Sequence, residues 1–446
     1  MGRWAKQIQL QLKIPAIGIA SSNIVHYATG YNFKYNNGMP IRYVSVPFPF
    51  TVQPRAVDVG YVTGKDMLSG QPLMSAIISA LTSPRTAEEM VAGTPSEQAA
   101  ESKVLPPDSE ENLRRLFEDK GWTDYNWVNL PTEKRVTEML KGTSHKPSEV
   151  IKTIDITGGL RQLTVEKVAI SAVMAGASPE HFPVILALAT QAPFGNSTSS
   201  MANMVVISGP IRKRLNFNPG TNSLGPYNRS NAVVGRAFTL VSKTAGDLRN
   251  NVNAWESLGS NFQYNNLCFA ENEENLPEGW EPLHVQMGFQ PTDSIVSVGV
   301  GWTSISSVGG SQSLYPTHFL MRDYMRSLSA SGSSATILLD PTVAALLKDT
   351  HGFKTKEQLS EWFSQNVETT AGTYWGNGVI QSVNVPLALQ GLEPYASWRK
   401  LPSDTLIKPF INPKAVHVVV TGGKIQTTWF VTDFGLRRGV KVDDWA

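Results

Sequence analysis

The chain has 446 residues, more than one domain usually holds, so two or three structural units are expected. A formal net charge of +2, with no basic run longer than Arg212-Lys213-Arg214, excludes a nucleic-acid footprint. The single cysteine, Cys268, excludes a disulfide scaffold, a CxxC redox pair and a multi-cysteine zinc site within the chain. No apolar run approaches the roughly 18 residues that cross a bilayer, and the first residues lack a signal-peptide pattern, so a cytoplasmic protein with no membrane partner is expected.

In chain order, apolar spacing predicts a helix over 4–12, broken at Pro15, then a buried strand over 16–20. Ser21-Ser22-Asn23 is placed to cap a helix, and a second strand follows over 41–46. This order reads as a βαβ unit that opens on its helix, as if a first strand were supplied elsewhere. Residues 64–140 read as polar and helical, with a linker near 92–107 and a solvated helix at 109–119. Thr164 is the expected cap of a helix ending near Gly176, with Glu166 and Lys167 in its first turn. Ser178-Pro179 opens another helix. Strands are expected at 204–207, 295–300, 335–339, 416–420 and 427–431, with helices at 228–241, 316–329, 341–349 and 355–366. No internal repeat stands out. The expected fold is α/β: a partial doubly wound, flavodoxin-like unit over 1–90, a helical linker over 91–150, and a larger mixed α/β domain over 151–446.

Three segments could carry chemistry. Glu271, Asn272, Glu273 and Glu274 follow the apolar run Leu267-Cys268-Phe269, and His284 lies shortly beyond. Paired carboxylates at a strand exit suit acid/base work, because proximity separates their proton affinities. A solvated loop with a helix-capping carboxylate is the alternative. The Gly/Asn-rich stretch 216–225 feeds the segment with Arg229, Asn231 and Arg236, a natural anion site or a plain structural turn. Residues 195–200, with Thr198, could donate hydroxyl hydrogen bonds to a ligand or cap a helix. Neither GxSxG nor HExxH occurs, so a nucleophile elbow and a local zinc motif are unsupported. Cys268, inside an apolar run, reads as a buried, inert thiol.

Several segments resemble one family. They are Thr164-Val165-Glu166-Lys167-Val168-Ala169, Ser208-Gly209-Pro210-Ile211, Leu224-Gly225-Pro226 with Arg229 and Asn231, Cys268-Phe269-Ala270-Glu271-Asn272-Glu273-Glu274, Pro282-Leu283-His284-Val285 and Val418-Val419-Val420-Thr421-Gly422-Gly423. From about residue 150 onward the chain resembles the large domain of the UGSC-motif thiol/selenoprotein family. It departs at Ala177 and Ser171, where the resemblance implies Cys and Asn. The resemblance also implies a U/C-Gly-Ser-Cys loop ahead of the first helix, which this chain does not contain.

The expectation is therefore the large subunit of a thiol-dependent enzyme acting on a small polar or anionic metabolite, in a hetero-oligomer whose small subunit supplies the reactive Cys or Sec. Glu271, Glu273 and His284 would be catalytic. Arg229, Asn231, Asn272, Thr198, Glu166 and Lys167 would bind substrate. On this reading Glu271→Gln stops turnover and leaves the fold intact. The alternatives are a lyase or hydratase using Glu271, Glu273 and His284 with or without a metal, and a non-catalytic scaffold subunit. No cofactor is demonstrable from the sequence.

Overall fold

The computed structural model describes residues 8–22, 25, 41–47, 54–84, 86, 104–156, 159–191, 200–246, 248, 254, 257–308, 314–424 and 427–446. The chain is mixed α/β, with 43% of the described residues helical and 17% in strands, as its sequence patterning implied. It divides into two units, one of residues 1–108 with 153–162 and one of 109–152 with 163–446.

In the smaller unit β1 (Gly18–Ser21) and β2 (Tyr43–Val46) pair in parallel, which fits the βαβ reading, although most of the connecting segment lies outside the described residues. Helices Arg55–Thr63 and Leu73–Thr82 follow. Asp66 ties the β2 end down, accepting the Ser45 N–H at 2.6 Å and the Ser69 N–H at 2.8 Å. Residues 109–152, expected as part of a linker, belong to the larger unit. Asp124 holds Arg236 through two 2.9 Å bonds, and His145 stacks on Trp445 at 4.7 Å. β3 (Val150–Ile156) and β4 (Gly159–Thr164) pair only with each other among the described residues.

The large unit is built on two sheets. In the first, β5 (Ala202–Ser208) runs parallel to β6 (Cys268–Ala270) and antiparallel to β7 (Ile295–Gly301). In the second, β8 (Ser304–Val308) lies at one edge and β9 (Ala335–Leu339) inside, while β10 (Thr369–Thr370) and β11 (Leu406–Ile407) form a separate small pair. β9 runs parallel to β12 (Val416–Val420) and antiparallel to β13 (Thr428–Thr432), which pairs in turn with β8. The short β14 (Gly435–Leu436) and β15 (Val440–Lys441) return to the first sheet and pair with β7.

Met204, Val206 and Phe269 share one apolar cluster with Leu338, Val419 and Phe434, so the inner faces of the two sheets close on each other. Alternate residues of the second sheet, Ile337, Leu339, Val418 and Val420, point the other way, into a cluster with Val343, Leu347, Leu359 and Phe363 of the covering helices. Helices Phe182–Gln191 and Arg229–Gly246 pack on the first sheet. The order is helix, sheet, sheet, helix, and each sheet is covered on both faces. That is why β5, β6 and β9 read as continuous apolar runs rather than alternating ones.

The two sheets repeat one plan. Each has a parallel pair, then an antiparallel third strand, then a fourth strand that arrives from the other half. β7 runs into β8 across two residues, and β13 runs into β14 across two residues. Sequence periodicity did not reveal this repeat, because it lies in strand order and not in side-chain identity. The two crossovers meet at Asp433, which is 2% exposed. Its Oδ1 accepts the N–H groups of Trp302 at 2.8 Å and Thr303 at 2.7 Å, and Oδ2 accepts the Ser329 hydroxyl at 3.0 Å. Gly301 passes so close that a Cβ there would lie 2.7 Å from the Phe434 nitrogen. Asp433→Ala strands two half-buried N–H donors and the Ser329 hydroxyl, so a loss of about 2–4 kcal/mol in urea unfolding is expected, with Asp433→Asn milder because one acceptor oxygen remains. A loss below about 1 kcal/mol for the alanine variant would show that the crossing does not depend on this carboxylate.

Candidate functional site

β5 and β6 end side by side, and the acid-rich segment emerges there. Glu271 is fully buried. Its Oε1 lies 2.6 Å from Nζ of Lys356, also fully buried, and its Oε2 accepts the Leu283 N–H at 2.6 Å. The Ser208 hydroxyl sits between three groups, 3.2 Å from Glu271 Oε2, 2.9 Å from Glu273 Oε1 and 2.8 Å from His284 Nδ1. His284 Nε2 faces the Pro291 carbonyl at 3.3 Å; a carbonyl only accepts, so that nitrogen carries a proton. Glu273 accepts the Gly209 N–H at 2.6 Å and pairs with Arg212 at 2.7 Å. Gly209 has φ +95°, and a Cβ there would lie 2.2 Å from the Asp293 carbonyl oxygen, so only glycine fits this turn. Arg212 also donates to the Glu271 carbonyl at 2.8 Å and forks onto Glu274 with two 3.0 Å bonds. Arg212, helped by Lys213, holds the Glu274 carboxyl down to about 2.

Glu271, Glu273 and His284 are thus brought together, but in an interior network. Asn272 leaves it toward the second sheet, where its N–H donates to Val420 at 2.7 Å and its amide to the Gly422 carbonyl at 3.0 Å. The other residues singled out in the sequence lie apart from these carboxylates. Arg229 is exposed at the first turn of its helix, where its charge helps burial to lower the proton affinity of His181. Asn231 is buried and holds the 216–225 loop, accepting the Asn218 N–H at 3.0 Å and donating to the Asn218 and Ser223 carbonyls at 3.1 Å. The loop therefore spends these polar groups on itself, and Arg236 is committed to Asp124. Glu166 and Lys167 sit in the first turn of helix Val165–Ala175, capped by Thr164 as the sequence implied. Thr198 lies outside the described residues. Cys268 is buried in β6, where burial pushes its thiol well up, as expected of an inert cysteine. Among the described residues no group of three His, Cys, Asp or Glu side chains is placed to hold a metal ion.

An open space lies one step away, at the carboxyl ends of the other parallel pair, β9 and β12. A cavity of about 290 Å³ is walled there by Asp340 after β9, Thr421, Gly422 and Gly423 after β12, the 221–225 loop, and Thr428 and Phe430 of β13. Leu224, Leu338, Leu339 and Phe430 contribute its apolar wall. Crevices beyond the carboxyl ends of parallel strands are the usual ligand positions of α/β sheets, because the loops there diverge. Asp340 is 6% exposed and is the one ionisable side chain of the wall among the described residues. It caps helix Pro341–Asp349, accepting the Val343 N–H at 2.8 Å, and it also accepts the Thr428 N–H. Burial raises its proton affinity above the ordinary carboxylate value against those hydrogen bonds. The interior network reaches this cavity through Thr421, whose hydroxyl lies 3.0 Å from the Ala270 carbonyl and 2.8 Å from Ser223 Oγ.

Sequence reasoning missed Asp340, Lys356, Ser208 and Arg212. Asp340 had a usable signal, an acidic residue directly after a five-residue apolar strand and before a helix-opening proline. Lys356 had none, since a lysine at the start of a polar helix normally faces water. No helix among the described residues is long and apolar enough to cross a membrane. No protein-family model, no curated protein and no solved structure matches the chain.

Proposed function

We propose that this chain is the large subunit of an enzyme that transforms a small polar metabolite in the cavity beyond β9 and β12, with Asp340 as its acid/base residue. The observation that carries this reading is a buried carboxyl with raised proton affinity in the wall of a ligand-sized cavity. The hydroxyls of Thr221, Ser223, Thr421 and Thr428 would orient the substrate. Glu271, Glu273 and His284 take a positioning role, since their network fixes Asn272 and through it the Val420–Gly422 backbone. Arg229, Asn231, Glu166 and Lys167 have no part in it, because none of them lines the cavity. The family resemblance adds a partner-borne Cys or Sec as the nucleophile, and the sealed position of Cys268 leaves that role to another chain.

The test is turnover of a defined mixture of free amino acids, amines and hydroxy acids, followed by mass spectrometry, with the protein purified together with any partner it retains. Asp340→Asn keeps one acceptor oxygen for the helix cap and loses the acceptor of the second N–H, so it is expected to lower the melting temperature while the fold persists, and to lower turnover of the folded protein by about 10²-fold or more. Turnover within about threefold of wild type removes Asp340 from the chemistry. Turnover that persists after complete thiol alkylation replaces the thiol-dependent reading with the lyase or hydratase one.

A further inference from the structure

The cavity also carries information about the charge of what it holds. Asp340 is 94% shielded from water, given its 6% exposure, and both of its oxygens accept backbone N–H groups. Among the described residues no Lys, Arg or His forms an ion pair with it. The neighbouring Lys424 is exposed, and among the described residues the cavity wall contains no cation. A desolvated carboxylate with hydrogen bonds but no counter-ion repels anions and gains most from a cation delivered by a ligand. The rest of the wall narrows the ligand further. Leu224, Leu338, Leu339 and Phe430 fit a short hydrocarbon body, and four hydroxyl residues share the wall with the acid. A volume of about 290 Å³ suits a compact molecule.

We infer that the cavity selects a small primary amine, whose ammonium group pairs with the Asp340 carboxylate while its hydrocarbon body lies against Leu224, Leu338 and Phe430. This rests on the proposed function, and it reverses the sign of substrate charge that the exposed Arg229 suggested in the sequence. The pairing also sets a substrate N–H beside the carboxylate that is assigned to proton transfer.

Three probes of one size separate the possibilities: butylamine, butanol and butyrate, titrated calorimetrically into the full chain at pH 7. The expected order is butylamine tightest, butanol at least tenfold weaker, and butyrate without measurable binding. In Asp340→Asn the butylamine affinity falls at least tenfold, to the level of butanol. Butyrate binding as tightly as butylamine, or butylamine binding untouched by Asp340→Asn, overturns the amine assignment and leaves the cavity as a ligand site. Failure of all three probes to bind overturns both the amine assignment and the cavity itself.

Discussion

Glu271→Gln is expected to destabilise the protein by about 3–5 kcal/mol, because it leaves the Lys356 ammonium buried without its counter-charge. Both partners are fully buried and lie 2.6 Å apart, so no water can move in to replace the lost carboxylate oxygen. Lys356→Met should cost a similar amount, by abandoning Glu271 in turn. The double variant should cost clearly less than the sum of the two, since a buried pair removed together leaves no unpaired charge. Urea unfolding of the four proteins at pH 7 measures the cycle. Additive losses, or a single-variant loss under about 1 kcal/mol, would mean that the pair does not hold the interior. From the sequence, the same substitution was expected to stop turnover in an intact fold. The change of expectation comes from one residue, Lys356, which lies 85 positions away. The location of the pair also gives it leverage on function. Glu271 stands at the end of β6, and the next residue donates to Val420 beside the cavity, so loosening the pair should disturb the cavity wall before it unfolds the sheet.

The second large effect is acid sensitivity set by two histidines. His318 is packed among the rings of Phe319, His351, Phe353 and Trp362, and its Nδ1 finds no hydrogen-bond partner among the described residues. Burial, with the nearby His351 and Arg322, pushes its proton affinity from 6.5 down to about 4. His417 is lowered from 6.5 to about 4 by burial and by Lys356. Both rings are therefore neutral in the folded protein at pH values where the unfolded chain protonates them. Between pH 6.5 and 4 the unfolded state binds more protons, so stability is full above pH 6.5 and is lost as pH falls toward 4. Full linkage would be worth about 3 kcal/mol for each ring, and water reaching part of His318 lowers its share to about 2 kcal/mol. His318→Phe keeps the aromatic packing and removes the titrating group. It should match or exceed wild type at pH 7, and it should lose about 2 kcal/mol less between pH 7 and 4.5 in urea unfolding. A stability difference between the two proteins that does not change with pH would assign the acid loss to other groups.

What was legible in the sequence was local. The apolar runs at 335–339 and 416–420 became β9 and β12, Thr164 capped its helix, and the helix expected over 341–349 formed there, since caps, turns and buried strands are written in neighbouring residues. The carboxylate segment and His284 were also found by local density, and they do converge. What stayed hidden depended on distant partners. A buried lysine on a polar helix, an exchange of fourth strands between two sheets, and a cavity formed by three separated loops each require the chain to fold before they exist.

Composition and patterning by themselves determined an α/β protein with sealed strands and an inert Cys268, because burial of apolar runs and thiol environment follow from nearby residues. Only the tertiary structure decided that the acid-rich segment is an interior ion network and that Asp340 lines an open cleft. The physical reason is that a carboxylate's role is set by its counter-charge and its access to water, and both come from parts of the chain far away in sequence.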